Sequence, residues 1–112
     1  MTGEITNLIQ RAARGEKAAW DALVEQYKRL TWGILGKFGN SLSRAEQEDL
    51  FQDAFVILLD GGLQRFRGSS EYEFRAYLAR IVRNEVYTWI RDRDRHGKIE
   101  ILESSLSEQE DE

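Results

Sequence analysis

Cysteine and proline are both missing from this 112-residue chain, and histidine and methionine occur once each. Without cysteine there is no disulfide, thiolate metal site, iron–sulfur cluster or cysteine nucleophile, and nothing points to an oxidising compartment, so a cytoplasmic location is expected. No apolar run approaches the roughly 20 residues of a membrane span. Met1 to Gln10 also lacks the basic start and apolar stretch of an export signal, so no membrane partner is expected. The single histidine, His96, sits among charges at a helix end, where a solvated or dipole-paired imidazole fits better than a general base or a ligand. The acids form no ligand-spaced cluster with His or Cys, and Gly33-x-x-Gly36-x-x-Gly39 is too regular and too helical for a phosphate loop. No catalytic residue, metal or cofactor is assigned, and a non-enzymatic role follows.

What is present is helical periodicity. With 41% hydrophobic residues the chain can close one core, and the absence of proline with apolar residues at steps of three and four gives an all-α fold, a compact bundle of about four helices. Helix one spans about Gly3 to Arg14, with Ile5, Leu8, Ile9 and Ala12 on one face and Gly15 as its stop. Helix two runs from about Glu16 to Phe38 with Trp20, Leu23, Val24, Tyr27, Leu30, Ile34 and Leu35 as its core stripe. Gly33, Gly36 and Gly39 loosen its C-terminal end, either for the close approach of another helix or for fraying. Ser43-Arg-Ala-Glu46 reads as a capping box opening helix three, which stops at Gly61-Gly62; Ser70-Glu-Tyr-Glu73 reads as a second box, opening a helix that continues to about Arg95. Residues 1–98 form the domain, and residues 99–112, with six acids and no base, read as a solvated acidic tail or linker.

Charge is distributed unevenly behind a net value of −4. Residues 1–64 carry seven Lys/Arg and nine Asp/Glu, whereas residues 65–98 carry nine and five. A globally acidic chain with one basic segment suits a local nucleic-acid surface on a protein that otherwise meets protein partners. At 100° per residue, Phe74, Leu78, Ile81, Val82, Val86 and Trp89 fall on the core side of the last helix, and Arg80, Arg83, Asn84, Tyr87 and Arg91 form a stripe opposite. That stripe joins guanidinium groups for phosphates, an amide for a base edge and an aromatic ring for stacking. Glu85 falls on the apolar face, where it either pairs with an arginine of another helix or signals a shifted register.

The segment "EDLFQDAFVILL", Glu48 to Leu59, places acids and a glutamine in the first half of helix three and an apolar run in the second. An amphipathic helix with acids at its positive end accounts for this without a partner. The order of motifs supports more. Asp49-Leu50-x-Gln52-Asp53-x-Phe55, then Phe66-Arg67-Gly68, then Phe74-Arg75-Ala76-x-Leu78-x-x-Ile81-x-Arg83-Asn84 resembles region 2 of the sigma-70 family, specifically the small extracytoplasmic-function sigma factors, over about Lys17 to Arg95.

The resemblance implies that Asp49, Gln52 and Asp53 dock on the clamp helices of the largest subunit of RNA polymerase core, where carboxylates on one helix face meet a basic coiled coil. It also implies that the domain recognises and melts the promoter −10 element through its non-template strand, with one base flipped into a pocket. Arg67, Ser69 and Ser70 are assigned to that pocket, whose turn would offer backbone amides and hydroxyls; Asn84 is assigned to a base edge, Arg80, Arg83 and Arg91 to the backbone, and Tyr87 to stacking. A sequestering anti-sigma factor is a further expected partner.

The sequence departs from the pattern in places. Tyr77 stands where the family usually has tryptophan, Thr88 where aspartate is common and Glu85 where an apolar residue is. Two acids dilute the basic run Arg91-Asp-Arg-Asp-Arg95, which lowers the expected non-specific DNA affinity. The helix-turn-helix domain of full-length members has no counterpart after Gly97, so either a fragment cut at the linker, the favoured case, or a natural one-domain relative is expected. The competing class is a helical protein-binding adaptor or regulatory module without nucleic-acid binding.

Overall fold

The computed structural model describes residues 2–102, with side chains for residues 3–95. Four long helices and one helical turn make up the described residues: α1 (Thr2–Ala13), α2 (Lys17–Gly36), α3 (Arg44–Ile57), the turn α4 (Leu63–Arg65) and α5 (Glu71–Leu102). The all-α expectation is met. His96 and residues 103–112 of the acidic tail lie outside the described side chains and residues, while α5 itself runs beyond the expected Arg95.

Each boundary has a local cause. Helix α1 ends where Gly15 adopts φ +95°, letting its N–H reach Ala12 O at 3.0 Å and the Glu16 N–H reach Arg11 O at 3.1 Å. This paired closure satisfies carbonyls that the helix end would leave bare, and only glycine takes the left-handed conformation cheaply. The capping box of α3 is present, with Glu46 N–H donating to Ser43 Oγ at 3.1 Å and Ser43 N–H to Glu46 Oε1 at 2.8 Å. Its C-terminus differs from expectation: α3 closes at Ile57 and the chain widens through a π-type turn, Leu58–Gly62, in which Gly61 has φ +97°. A Cβ on Gly62 would sit 2.6 Å from Ile57 O, so the widened turn depends on a bare backbone there.

Helix α2 is the centre, packed against α1, α3 and α5, and α5 also crosses α3. Leu23, Tyr27, Leu35, Leu58, Phe74, Leu78, Val82 and Val86 are fully buried between them. Burying an aliphatic or phenyl side chain of this size contributes about 1.5–3 kcal/mol, which outweighs the weak propensity of the β-branched residues in α5. The hydroxyl of the buried Thr31 is satisfied within its own helix, donating to Tyr27 O at 3.1 Å. Edge-to-face contacts lock the start of α5 to its neighbours: Phe74 meets Tyr27 at 5.1 Å and Phe66 at 5.3 Å.

Two expectations for α5 change. Trp89 is exposed, and Ile90 takes the half-buried place against the core. Glu85 is half-buried, with Asp53 of α3 rather than an arginine as the charge that acts on it. Neither Gly33 nor Gly36 has an atom of another element within 4 Å of a notional Cβ, so among the described residues no other helix approaches them closely.

Candidate functional site

Helix α3 presents a strip with two chemistries. Leu50, Ala54, Phe55 and Leu58 are buried and fix the helix in rotation. That leaves Asp49, Gln52 and Asp53 exposed together, and none of the three side chains makes a hydrogen bond or ion pair among the described residues. Val56 and Leu59, 57% and 54% exposed, continue the same strip by steps of three and four. From the sequence both belong only to the apolar run that ends helix three, with no face assigned to them. Their spacing from Asp49 and Gln52 is the signal that sets them outward.

Beside the strip, Phe51 stacks on Trp32 with centroids 4.6 Å apart and planes at 15°, and Arg44 sits over the Trp32 ring at 5.3 Å. This anchors the outer edge of α3 to α2. Burial, with the Asp53 charge as the second cause, pushes the Glu85 carboxyl above the usual carboxylate range.

On α5, Arg80, Arg83, Asn84, Tyr87 and Arg91 are all exposed, as the helical wheel requires. Tyr87 is not a free ring: it packs edge-on against Phe38 at 5.7 Å, leaving about half its surface, 54%, open on the stripe. Arg93 leaves the basic run. Its Nη1 donates to Ser41 O at 2.8 Å and lies 3.6 Å from Glu46, tying α5 to the connection before α3.

The turn before α5 corrects one expectation. Ser69 and Ser70 do not hold out their backbone amides, since both donate to Glu73 Oε1, at 2.7 and 3.1 Å. The Ser70 hydroxyl is also engaged, within 3.2 Å of the same oxygen and accepting from Glu73 N–H at 3.1 Å. These bonds, the Ser69 amide first, hold the Glu73 carboxyl below its usual range. A Cβ on Gly68 would fall 2.6 Å from the Phe66 ring and 2.9 Å from Glu73, so glycine is required for the turn to close on that carboxylate. Arg67 is exposed and donates to Gln64 O at 3.0 Å. Ser70 and Arg80 are ten residues apart along α5, about 15 Å at the helical rise, so the turn and the stripe lie along one helix but are not one pocket.

The Sigma-70 region 2 family matches residues 23–96, from α2 through most of α5, and so takes in both surfaces. The chain belongs to the sigma-70 region 2 family. Among its relatives, the RNA polymerase sigma-F factor of Priestia megaterium is 32% identical over 89 residues, covering 80% of this chain and 34% of that protein. The sigma-F factor of Bacillus subtilis is 31% identical over 90 residues, again 80% and 34%. The RNA polymerase sigma-H factor of Pseudomonas aeruginosa is 35% identical over 77 residues, 69% and 37%. The chain therefore spans about a third of the length of the curated relatives it matches. These relatives are sigma-F and sigma-H factors, so membership stands at the level of sigma-70 region 2 rather than of the extracytoplasmic-function group. No solved structure matches the chain.

Proposed function

We propose that this sigma-70 region 2 domain serves transcription initiation, docking on RNA polymerase core through α3 and engaging the non-template strand of the promoter −10 element through α5 and the turn before it. The observation that carries the reading is the α3 strip: Asp49, Gln52 and Asp53 are exposed, unpaired and held in rotation by a buried opposite face. Unpaired carboxylates one turn apart, with an amide between them, are set to accept charge-assisted hydrogen bonds from arginines on a basic coiled coil such as the clamp helices of the largest subunit. Exposed Val56 and Leu59 add the apolar contact that an interface of this kind buries at its centre.

On the DNA side, Arg80, Arg83 and Arg91 supply phosphate contacts, Asn84 a base-edge amide and Tyr87 a stacking ring pre-set by Phe38. Arg67 and the Ser69 hydroxyl extend that surface at the N-terminal end of α5. The domain acts in the cytoplasm without catalysis of its own and without a cofactor. An anti-sigma factor would silence it by covering the α3 strip, and placement among extracytoplasmic-function factors rests on the motif resemblance alone.

Binding to whole polymerase core, followed by capture of single-stranded DNA on that complex across a salt series, tests the reading. The expected result is core binding by the chain and single-strand affinity that falls log-linearly with salt. Core binding without any DNA capture would favour the protein-binding adaptor, for which the apolar end of the α3 strip is the supporting observation.

A further inference from the structure

Helices α3 and α5 cross with their register fixed at two points. Arg93 Nη1 donates to Ser41 O at 2.8 Å and lies 3.6 Å from Glu46, at the start of α3, while Glu85 feels the Asp53 charge seven residues further along that helix. Trp89 is one turn from each, four residues after Glu85 and four before Arg93, so all three share a face of α5. The residue therefore stands at the seam, level with the turn of α3 that carries Asp49 and Leu50.

The fold makes little use of this ring. Trp20 packs edge-on against Phe55 at 6.2 Å, and Trp32 stacks on Phe51 at 4.6 Å. Trp89 has neither a ring contact nor a hydrogen bond from its indole N–H among the described residues, and 39% of its surface is open. Exposing so large a ring forfeits burial that a partner can recover, and tryptophan is a residue type enriched at the energetic centres of interfaces. DNA on the α5 stripe does not supply that burial. At 100° per residue, Trp89 points about 120° or more away from Arg80, Arg83, Asn84, Tyr87 and Arg91.

What surrounds the ring is acidic. Asp49, Asp53 and Glu85 form no ion pair among the described residues, whereas Glu46 is matched by Arg93 at the end of the seam. Gln52, Val56 and Leu59 continue the same surface along α3. A polyanion is repelled here and a basic helix is attracted. An arginine entering between Asp53 and Glu85 relieves two like charges, and one beside Trp89 gains the face of the ring.

We infer that polymerase docks on a face built from two helices rather than on α3 alone: Trp89 of α5 is its aromatic anchor, and Glu85 joins Asp53 in receiving an arginine of the basic coiled coil. The inference rests on the docking reading above. It gives a use to Glu85, which departs from the apolar pattern at its position and is otherwise an unmatched charge.

The test is the affinity of the full chain for whole polymerase core, compared among the natural sequence, Trp89→Ala, Trp89→Phe and Glu85→Gln, each with its thermal melt. Single-strand affinity is read for the same four with core saturating. Trp89→Ala is expected to weaken core binding about tenfold and Trp89→Phe to retain most of it. Glu85→Gln should weaken core binding about threefold without lowering the melt, so the test stands even if Trp89→Ala fails to fold. Single-strand affinity should be the same in all four. Core binding unchanged in Trp89→Ala and Glu85→Gln, but lost in Gln52→Ala, Asp53→Ala, would overturn the two-helix face and spare docking on α3. Loss of single-strand affinity with core binding retained in Trp89→Ala would also overturn it, by assigning the ring to DNA. A natural chain that does not bind core would overturn both readings.

Discussion

Glu85 of α5 and Asp53 of α3 set two carboxylates acting on each other across the α3–α5 seam, and neither forms an ion pair among the described residues. Desolvation and the Asp53 charge both raise the Glu85 pKa, so the folded chain binds this proton more readily than the unfolded one. Its favourable contribution is therefore complete below the ordinary carboxylate range and is lost as pH rises through the raised pKa.

At neutral pH the charged Glu85 opposes folding. Glu85→Gln is expected to stabilise the chain at pH 7 by on the order of 0.5 kcal/mol once solvent screening is allowed for, and to confer no gain near pH 3. Urea titrations at the two pH values measure this. An equal effect at both would place its origin in packing instead.

Tyr27 makes the opposite end of the pH range informative. Its hydroxyl donates to Glu71 at 3.3 Å, and burial with the Glu71 charge pushes its pKa up to about 12. The stability this supplies is intact below the ordinary phenol pKa of about 10 and is lost as pH climbs toward the folded value. Tyr27→Phe should cost about 1 kcal/mol at pH 7 and flatten the alkaline fall in stability, followed by thermal melts from pH 8 upward.

The turn before α5 should respond to acid. With its pKa lowered by the Ser69 and Ser70 amides, Glu73 supports the turn above the ordinary carboxylate range, and that support is lost as pH falls through the lowered value. Hydrogen exchange at the Ser69 and Ser70 amides is expected to lose its protection in that interval while Phe74 and Leu78 keep theirs. Gly68→Ala should remove the same protection at neutral pH, because its Cβ would collide with Phe66 and Glu73.

Arginines of α5 divide by use. Arg93→Ala, which releases Ser41 and Glu46, should cost about 1 kcal/mol of stability and leave the salt dependence of single-strand binding unchanged. Arg83→Ala should do the reverse, reducing the slope of log affinity against log salt by about 0.7 without altering the melt. Equal effects of the two variants on DNA would contradict the assignment of Arg93 to structure.

What was legible in the sequence was local. The capping box at Ser43, the stop at Gly15 and the outward positions of Asp49, Gln52 and Asp53 each depend on neighbours within one or two turns, and periodicity carries that information. The facing of Val56 and Leu59 is not legible, because an unbroken apolar run hides which members face out until the buried set, Ala54, Phe55 and Leu58, is known. The exchange of Trp89 for Ile90 follows from how α5 lies across its neighbours, to which a single-helix projection is blind. Glu85 against Asp53 is a product of helix packing and leaves no spacing signature, whereas Glu73 on the Ser70 amide and hydroxyl is the capping box written in Ser70-Glu-Tyr-Glu73.

Calorimetric binding of this chain to a purified clamp-helix fragment of the polymerase largest subunit tests the central claim most directly, with a Gln52→Ala, Asp53→Ala variant of unchanged helicity alongside. The expected result is binding by the natural sequence and a loss of at least about tenfold in the variant, as removal of charge-assisted hydrogen bonds requires. A well-folded natural chain that binds neither the fragment nor whole core enzyme would contradict the polymerase-docking role of α3.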